Sequence, residues 1–211
     1  MKQIILFLFL THFAYSQSEA VQLIDRSIQH HDPKDRWHQL QAAIDIHSMV
    51  RRKDRITTTD RFLTLDIKEN KFTMRQDSTV YSFPCENCDR AKMYNDYFRY
   101  LIGMPMKLKD TGTIIHHDIE VKYFKNKAYQ VITVTYDPTV GTDTWKFYFD
   151  PENAELDVIE FSKDGTFENG ETIELNDKIK FQNMLLPGQL KWFVLPDRKF
   201  LAEENITYKK L

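Results

Sequence analysis

The fold is decided by the segment YQVITVTYDPTVGTDTWKFYFDPENAELDVIEF, residues 129–161. It contains three apolar runs, separated by turn sequences at Asp137-Pro138 and Asp150-Pro151. Proline suits such turns because its ring fixes φ. Strands joined by short turns pair antiparallel. The segment therefore predicts three consecutive strands of a meander rather than a βαβ unit.

Alternation within these runs predicts which side chains share a face of the sheet. Trp145, Phe147 and Phe149 are two residues apart, so we expect them to point to one side of their strand. By the same spacing, Leu156 and Val158 are expected to share a face in the next strand.

Residues 1–16 have the pattern of a secretory signal peptide. Lys2 supplies the positive charge, an apolar run follows, and Ala14 and Ser16 place small residues where signal peptidase cleaves. We therefore expect a cleaved signal peptide and one domain over residues 17–211, in the periplasm or secreted. No cysteine follows the apolar run, so a lipid-anchored protein is not predicted, and no later segment predicts a transmembrane span.

Composition and motifs exclude several classes of function. The formal net charge of this 211-residue chain is −2, which does not predict binding of nucleic acid, although peripheral contact with a membrane stays open. The sequence lacks a Gly-x-Ser-x-Gly nucleophile motif, a His-Glu-x-x-His metal motif and a glycine-rich phosphate loop. No catalytic residue, metal or cofactor is therefore predicted, and the question of an enzyme is left open.

Two segments have the apolar spacing of amphipathic helices. Residues 18–30 begin at Ser18, a suitable N-cap, and end before an Asp-Pro pair that starts at Asp32. Residues 88–102 carry a broad aromatic stripe and end at Gly103, which suits a helix C-terminus.

Most of the remaining chain alternates in the manner of strands, and the total is about ten, a number that cannot stay flat in one sheet. The expected fold class is α+β, with a strongly curved antiparallel sheet (a half-open β-barrel) and two helices covering its concave face. Besides the meander, strands are predicted over residues 37–49, 56–67, 71–75, 79–83, 119–124, 171–181, 190–195 and 200–208.

Three motifs carry a resemblance to a known family. They are His31-Asp32-Pro33 followed by Trp37, the run LIGMPMKL over residues 101–108, and the closing segment over residues 197–208. With these motifs the chain resembles a family of uncharacterised exported bacterial proteins whose plan is similar to the LolA-like lipoprotein-carrier superfamily. The resemblance implies a half-open barrel capped by helices, which some relatives use to hold acyl chains. It implies no known activity and no catalytic residue.

Cys85 and Cys88 are the two cysteines of the chain. In an exported protein this spacing favours a local disulfide at the start of the second helix. A redox-active pair and a pair of metal ligands remain alternatives, because a cysteine near a helix N-terminus has a lowered pKa.

The triplet His-His-Asp occurs twice, at residues 30–32 and 116–118. The repetition suggests a metal site or a metal-dependent enzyme built from His31, Asp32, His116 and Asp118. Adjacent histidines point to opposite faces of a strand and lie about 100° apart on a helix, so neither pair chelates well. We prefer a structural role, with His31 packed near Trp37 and bonded to the backbone.

The lead hypothesis is an exported binding protein that holds a lipid, an acyl chain or another apolar molecule between the curved sheet and the helices. Plain core packing also explains the aromatic stripe, so a cell-envelope interaction module with a filled core is the alternative. The candidate ligand-binding residues are Tyr94, Tyr97, Phe98, Leu101, Met104, Trp145 and Phe147.

Overall fold

The structure is a computed structural model that describes residues 18–53, 55–86 and 88–211. The predicted signal peptide lies outside these residues. Within them the chain forms two α-helices, α1 (Glu19–His31) and α2 (Asp89–Ile102). The strands are β1 (Gln41–Arg52), β2 (Arg55–Asp66), β3 (Lys71–Gln76), β4 (Thr79–Phe83), β5 (Thr113–Phe124), β6 (Lys127–Tyr136), β7 (Thr144–Phe149), β8 (Leu156–Ser162), β9 (Gly170–Asn176), β10 (Ile179–Phe181), β11 (Met184–Leu186), β12 (Gln189–Val194) and β13 (Lys199–Lys210).

Eleven of these strands form one antiparallel sheet in the order β4-β3-β2-β1-β13-β12-β9-β8-β7-β6-β5, and β10 pairs with β11 as a separate hairpin. The sheet stays open, with β4 and β5 at its edges. The predicted α+β class, with an antiparallel sheet and two helices, is confirmed. The sheet has eleven strands where about ten were expected. In detail, residues 171–181 form two strands, and Met184–Leu186 forms a further strand that was not predicted.

The meander predicted over residues 129–161 is confirmed, since β6, β7 and β8 are consecutive antiparallel neighbours. The face predicted for β8 was wrong. The pairing of β7 with β8 shifts register after Tyr148, so Phe149 pairs with Leu156 but Tyr148 pairs with Val158. An extra residue in one strand reverses the side-chain alternation beyond it. Leu156 therefore joins one hydrophobic cluster and Val158 the cluster on the other face.

Both helices begin and end within one residue of the predicted bounds. The Ser18 hydroxyl accepts a hydrogen bond from the backbone N–H of Val21, which caps α1, and Gly103 follows the last residue of α2. The strand predicted from residue 37 was wrong at its start, because Trp37–Gln39 forms a 3₁₀ turn and β1 begins at Gln41.

The main core lies on the concave face of the sheet, beneath the two helices, and a smaller cluster of Phe124, Tyr129, Val131, Tyr148 and Val158 lies on the opposite face. The Trp37 ring packs against the C-terminal end of α2, at Gly103. A Cβ at Gly103 would lie 2.3 Å from that ring, so only glycine allows the approach.

Candidate functional site

A cavity of about 1020 Å³ separates α2 from the concave face of the sheet. One wall is the exposed flank of α2, and the opposite wall is formed by β7, β8, β9 and β12. The segment that joins β6 to β7 borders it at the side. The residues that this joining segment contributes are Thr139, Val140, Gly141, Thr142 and Asp143.

The floor of the cavity is a row of large side chains that crosses neighbouring strands. Trp145 of β7 pairs with Phe161 of β8, and Phe161 pairs with Glu171 of β9. The rings of Trp145 and Phe161 stack with centroids 4.8 Å apart. Trp192 of β12 completes the floor on the far side of Glu171. This floor therefore presents three aromatic rings and one carboxylate to the cavity.

Two tyrosines of α2 reach to opposite sides of this floor. The Tyr97 hydroxyl donates to Glu204 of β13 at 3.1 Å, and its ring stacks on Trp192 at 6.0 Å. The Tyr100 hydroxyl shares a hydrogen bond with that of Tyr136 on β6. Strands β12, β9, β8 and β7 lie between β13 and β6 in the sheet. Helix α2 is thus attached at both sides. Its Tyr97 ring stacks on Trp192 and its Tyr100 ring lies 4.9 Å from Trp145, while Phe161 and Glu171, between these two contacts, line the cavity.

The attachment on the β13 side is a buried polar network. Ser48 donates to Glu204 at 3.2 Å, and Arg61 donates to Ser48 at 2.6 Å. Burial raises the pKa of Glu204, and the Arg61 guanidinium 3.9 Å away opposes the rise. Burial and the neighbouring Glu204 raise the pKa of Tyr97 well above its usual value, so its hydroxyl stays a donor.

Opposite charges pair at the rim of the cavity. Lys92 bonds to Asp96 at 2.6 Å, and Lys107 bonds to Asp110. Arg99 also lines the cavity, but it donates to neutral oxygens, the Asn70 side chain at 2.7 Å and the Asp66 carbonyl at 3.3 Å.

Two lining carboxylates, Glu171 and Asp143, have no ion pair or hydrogen bond with any other residue that the structure describes. Burial raises the pKa of Glu171. Three buried polar atoms of lining residues also lack a partner within the described part of the chain. They are Asn95 Oδ1, Arg99 Nε and Thr113 Oγ1.

The structure divides the seven ligand-binding residues predicted from sequence into two groups. Tyr97, Leu101 and Trp145 line the cavity. The others do not line it. Phe98, Met104 and Phe147 are 2%, 1% and 0% exposed in the core, and Tyr94 packs against the Tyr81 ring at 5.2 Å.

Sequence reasoning missed Phe161, Glu171 and Trp192. A signal for Glu171 was present, because it alternates with Ile173 and Leu175 and so places a carboxylate on an apolar face. Trp192 alternates in the same way with Leu190 on β12. No local pattern shows that these strands are neighbours.

Cys85 and Cys88 form the predicted disulfide, directly before α2.

His31 and Asp32 have the structural role that we preferred. His31 Nδ1 donates to the Leu185 carbonyl at 2.9 Å, and Nε2 accepts from the Leu156 N–H at 3.1 Å. Burial lowers the pKa of His31 to about 4. Asp32 accepts from the backbone of Arg36 and Trp37, both at 2.8 Å.

His116 is exposed and bonds to Thr135. Among residues 18–53, 55–86 and 88–211, no three His, Cys, Asp or Glu side chains are grouped to hold a metal ion. In those same ranges, no helix has the length and apolar character needed to cross a bilayer.

Comparison with solved structures shows the fold. A putative outer membrane lipoprotein-sorting protein domain from Vibrio parahaemolyticus aligns with a TM-score of 0.59 at 9% identity, covering 90% of this chain and 92% of that one. A LolA superfamily protein from Nitrosomonas europaea aligns with a TM-score of 0.53 at 10% identity, covering 93% and 94%. A DUF1329 family protein from Desulfovibrio piger aligns with a TM-score of 0.56 at 5% identity, covering 90% and 92%.

The chain therefore has the LolA-like fold that its motifs predicted. No curated protein matches it in sequence. Residues 2–200 match the family described as a family of unknown function, DUF6503, and the chain belongs to that family.

Proposed function

We propose that this protein is an exported binding protein that holds the apolar part of a lipid, or an acyl chain, in the cavity between α2 and the concave sheet face. The observation that carries the proposal is the cavity itself. Its volume of about 1020 Å³ is at the upper end of the range for small-molecule sites, roughly 300–1,000 Å³.

The floor supports an apolar ligand. Trp145 and Phe161 present a continuous stacked surface, and Trp192 extends it across the next strands. Covering such a surface removes apolar area from water, which contributes roughly 25 cal/mol per Å². An acyl chain lying along Trp145, Phe161 and Trp192 would gain this free energy of apolar burial. Its binding would break no ion pair that the structure describes in the floor.

The architecture supports reversible loading. Helix α2 is attached through Tyr97 and Tyr100 at its two sides, and one part of the rim, residues 139–143, lies in a loop. Loops move more easily than the strands they connect. A ligand can therefore enter at the rim while the sheet and the helix stay in place.

Export is part of the proposal. Its support is the signal-peptide pattern of residues 1–16 together with a disulfide, which persists in oxidising compartments. The name of the Vibrio structure refers to lipoprotein sorting at the outer membrane. That role supports a place in the periplasm for this chain, with a lipid or the acyl chain of a lipoprotein as cargo.

A bulky side chain introduced at the rim of the cavity tests the proposal. A Cβ at Gly141 meets no atom within 4 Å, so Gly141→Trp is accommodated and places an indole at the cavity mouth. Nile red, a neutral apolar dye, should bind the wild-type protein, and Gly141→Trp should weaken binding at least about tenfold by excluding the dye from the aromatic floor. Native mass spectrometry should find co-purified lipid on the wild type and less on the variant.

Val121→Trp is the matched control. Val121 is 69% exposed on β5 and does not border the cavity, so the same indole there should leave dye binding unchanged. Unfolding in urea checks that both variants fold. A wild-type protein that carries no lipid and does not bind the dye would refute the proposed function, and so would equal binding by the wild type and Gly141→Trp. Either result would favour an interaction module instead.

A further inference from the structure

We propose that the cavity selects an amphiphile whose head group is a protonated amine, held between Glu171 and the surrounding aromatic rings. This inference rests on the proposed function, because it names the head group of a molecule whose apolar part occupies the same cavity. Nothing in the family match or the similar structures assigns such a site.

Glu171 has an unusual position for a carboxylate. It lines the floor of the cavity on the concave face of the sheet. Its cross-strand neighbours are Phe161 on β8 and Val194 on β12. Its strand neighbours on that face, Ile173 and Leu175, are buried in the core. A half-buried carboxylate on an apolar surface is costly unless it has a partner. Among the described residues Glu171 has no ion pair or side-chain hydrogen bond, and Lys163 lowers its pKa only from beyond ion-pair distance, so a cation from outside would relieve that cost.

The aromatic rings around Glu171 also favour a cationic ligand. Phe161 is its direct neighbour across β8, and Trp192 is diagonal to it across β12. Trp145 and Tyr97 stack on these two rings, at 4.8 Å and 6.0 Å. The face of an aromatic ring carries negative potential and attracts ammonium groups, most strongly in tryptophan. A carboxylate among such rings is therefore suited to an amine.

The charges that line the cavity also favour a cationic head group. Two lysines at the rim are neutralised by Asp96 and Asp110. The Arg99 guanidinium points two of its donors at the turn after β2, where Asn70 and Asp66 accept them. Arg99 keeps its positive charge, but with Glu171 and Asp143 the described lining carries four carboxylates against three basic side chains. An anionic head group beside Glu171 would be repelled by that carboxylate, whereas a cationic one is attracted by it.

A buried acceptor adds a reason for an amine with N–H groups. Asn95 is 2% exposed and lines the cavity from α2. Its amide nitrogen donates to Asp96 at 3.0 Å, while its Oδ1 has no partner within the described ranges. Leaving a buried acceptor unbonded costs free energy. A protonated amine has N–H groups that can donate to an amide oxygen as well as to a carboxylate, which a quaternary ammonium does not.

Three ten-carbon probes distinguish the contribution of the head group to binding from that of the apolar chain. Decylammonium, decanol and decanoate share an apolar tail and differ in charge, and each is titrated below its micelle-forming concentration by displacement of Nile red. We expect decylammonium to bind the wild-type protein about tenfold more tightly than decanol, and decanoate to bind more weakly than decanol. In Glu171→Gln the advantage of decylammonium over decanol, measured on the same variant, should fall to about twofold or less.

Glu168→Gln is the matched control, because it removes the same charge from an exposed residue just before β9. It should keep the preference for decylammonium. Equal binding of all three probes, or tightest binding of decanoate, would overturn this inference and leave the proposed function standing. A preference for decylammonium that survives Glu171→Gln would also overturn it. If neither decanol nor Nile red binds, the proposed function itself fails.

Discussion

The two helices lie on the same face of one sheet, yet one covers it tightly and the other leaves a cavity. Helix α1 presents Ala20, Leu23 and Ile24, all 0% exposed, and its end is fixed by His31. Helix α2 also buries Phe98 and Ile102 in the core, but beside them it presents tyrosines that are only partly buried. These tyrosines stand over the row of Trp145, Phe161 and Glu171.

The difference comes from the side chains that face the sheet. Aliphatic side chains have no polar atom to satisfy, so α1 packs directly on its neighbours at the density of a protein core. A buried tyrosine hydroxyl needs a partner. Tyr97 and Tyr100 find theirs in Glu204 and Tyr136, on strands at either side of the floor. Their rings therefore pack at the two ends of the floor, on Trp192 and Trp145, and leave the cavity between them. The comparison predicts large effects on stability under α1 and small ones around the cavity.

The largest effect is expected for Ile24→Ala in α1. Ile24 is 0% exposed, and truncation leaves a void in a rigid core, so the free energy of unfolding should fall by about 4 kcal/mol. Urea unfolding followed by tryptophan fluorescence measures it. Ile56→Ala, at a residue that is 53% exposed, is the control and should cost less than about 0.5 kcal/mol. Equal costs would show that α1 is not tightly packed.

The next effect is a pH dependence at the end of α1. Burial holds the pKa of His31 at about 4, whereas an unfolded histidine titrates near 6.5. The unfolded state binds more protons between these values, so stability is complete above about pH 6.5 and falls as the pH approaches 4, by about 3 kcal/mol.

Unfolding curves recorded between pH 7 and pH 4 measure this loss, and His31→Asn should remove most of the slope. His38→Asn is the control, because His38 is exposed. A wild-type slope that persists in His31→Asn would contradict the assignment.

The disulfide before α2 should have a smaller effect. Cys88 makes no side-chain capping bond, so the link to Cys85, three residues earlier, fixes the start of the helix instead. Closing so short a loop contributes about 2 kcal/mol in the chain-entropy account. Unfolding of Cys85→Ser/Cys88→Ser should be easier by that amount, and a reductant should affect the wild type alone. If the reductant destabilises the double variant equally, the effect does not come from this disulfide.

The smallest effect is expected at the attachment of α2 to β6. Tyr100→Phe removes one hydroxyl and leaves that of Tyr136 without its partner, which should cost about 1 kcal/mol. Thermal unfolding measures this change. Tyr123→Phe, at a ring that is 78% exposed, is the control and should have no measurable effect. A loss as large as that of Ile24→Ala would mean that α2 is packed as firmly as α1.

Prediction from sequence succeeded where the signal was local. The turns at Asp137 and Asp150 identified the meander, and Ser18 and Gly103 marked helix ends, because each acts through its own backbone neighbours. It failed for Val158, because the register shift that turns this residue to the other face depends on pairing with β7.

The site could be predicted only in part. Tyr97, Leu101 and Trp145 were found because an amphipathic helix and an alternating strand show which of their faces is apolar. Phe98 and Phe147 satisfy the same pattern and yet are buried in the core. Periodicity gives the direction of a side chain, but the distance between helix and sheet decides whether that side chain meets the core or a cavity.

The sequence by itself determined the helices, the meander and the antiparallel class, since all of these follow from contacts between residues close along the chain. Only the tertiary structure decided that β9 lies between β8 and β12, which brings Glu171 between Phe161 and Val194. It also decided that the two tyrosines of α2 extend to opposite sides of the cavity. Pairing of distant strands depends on how the whole sheet folds together, and no local pattern encodes it.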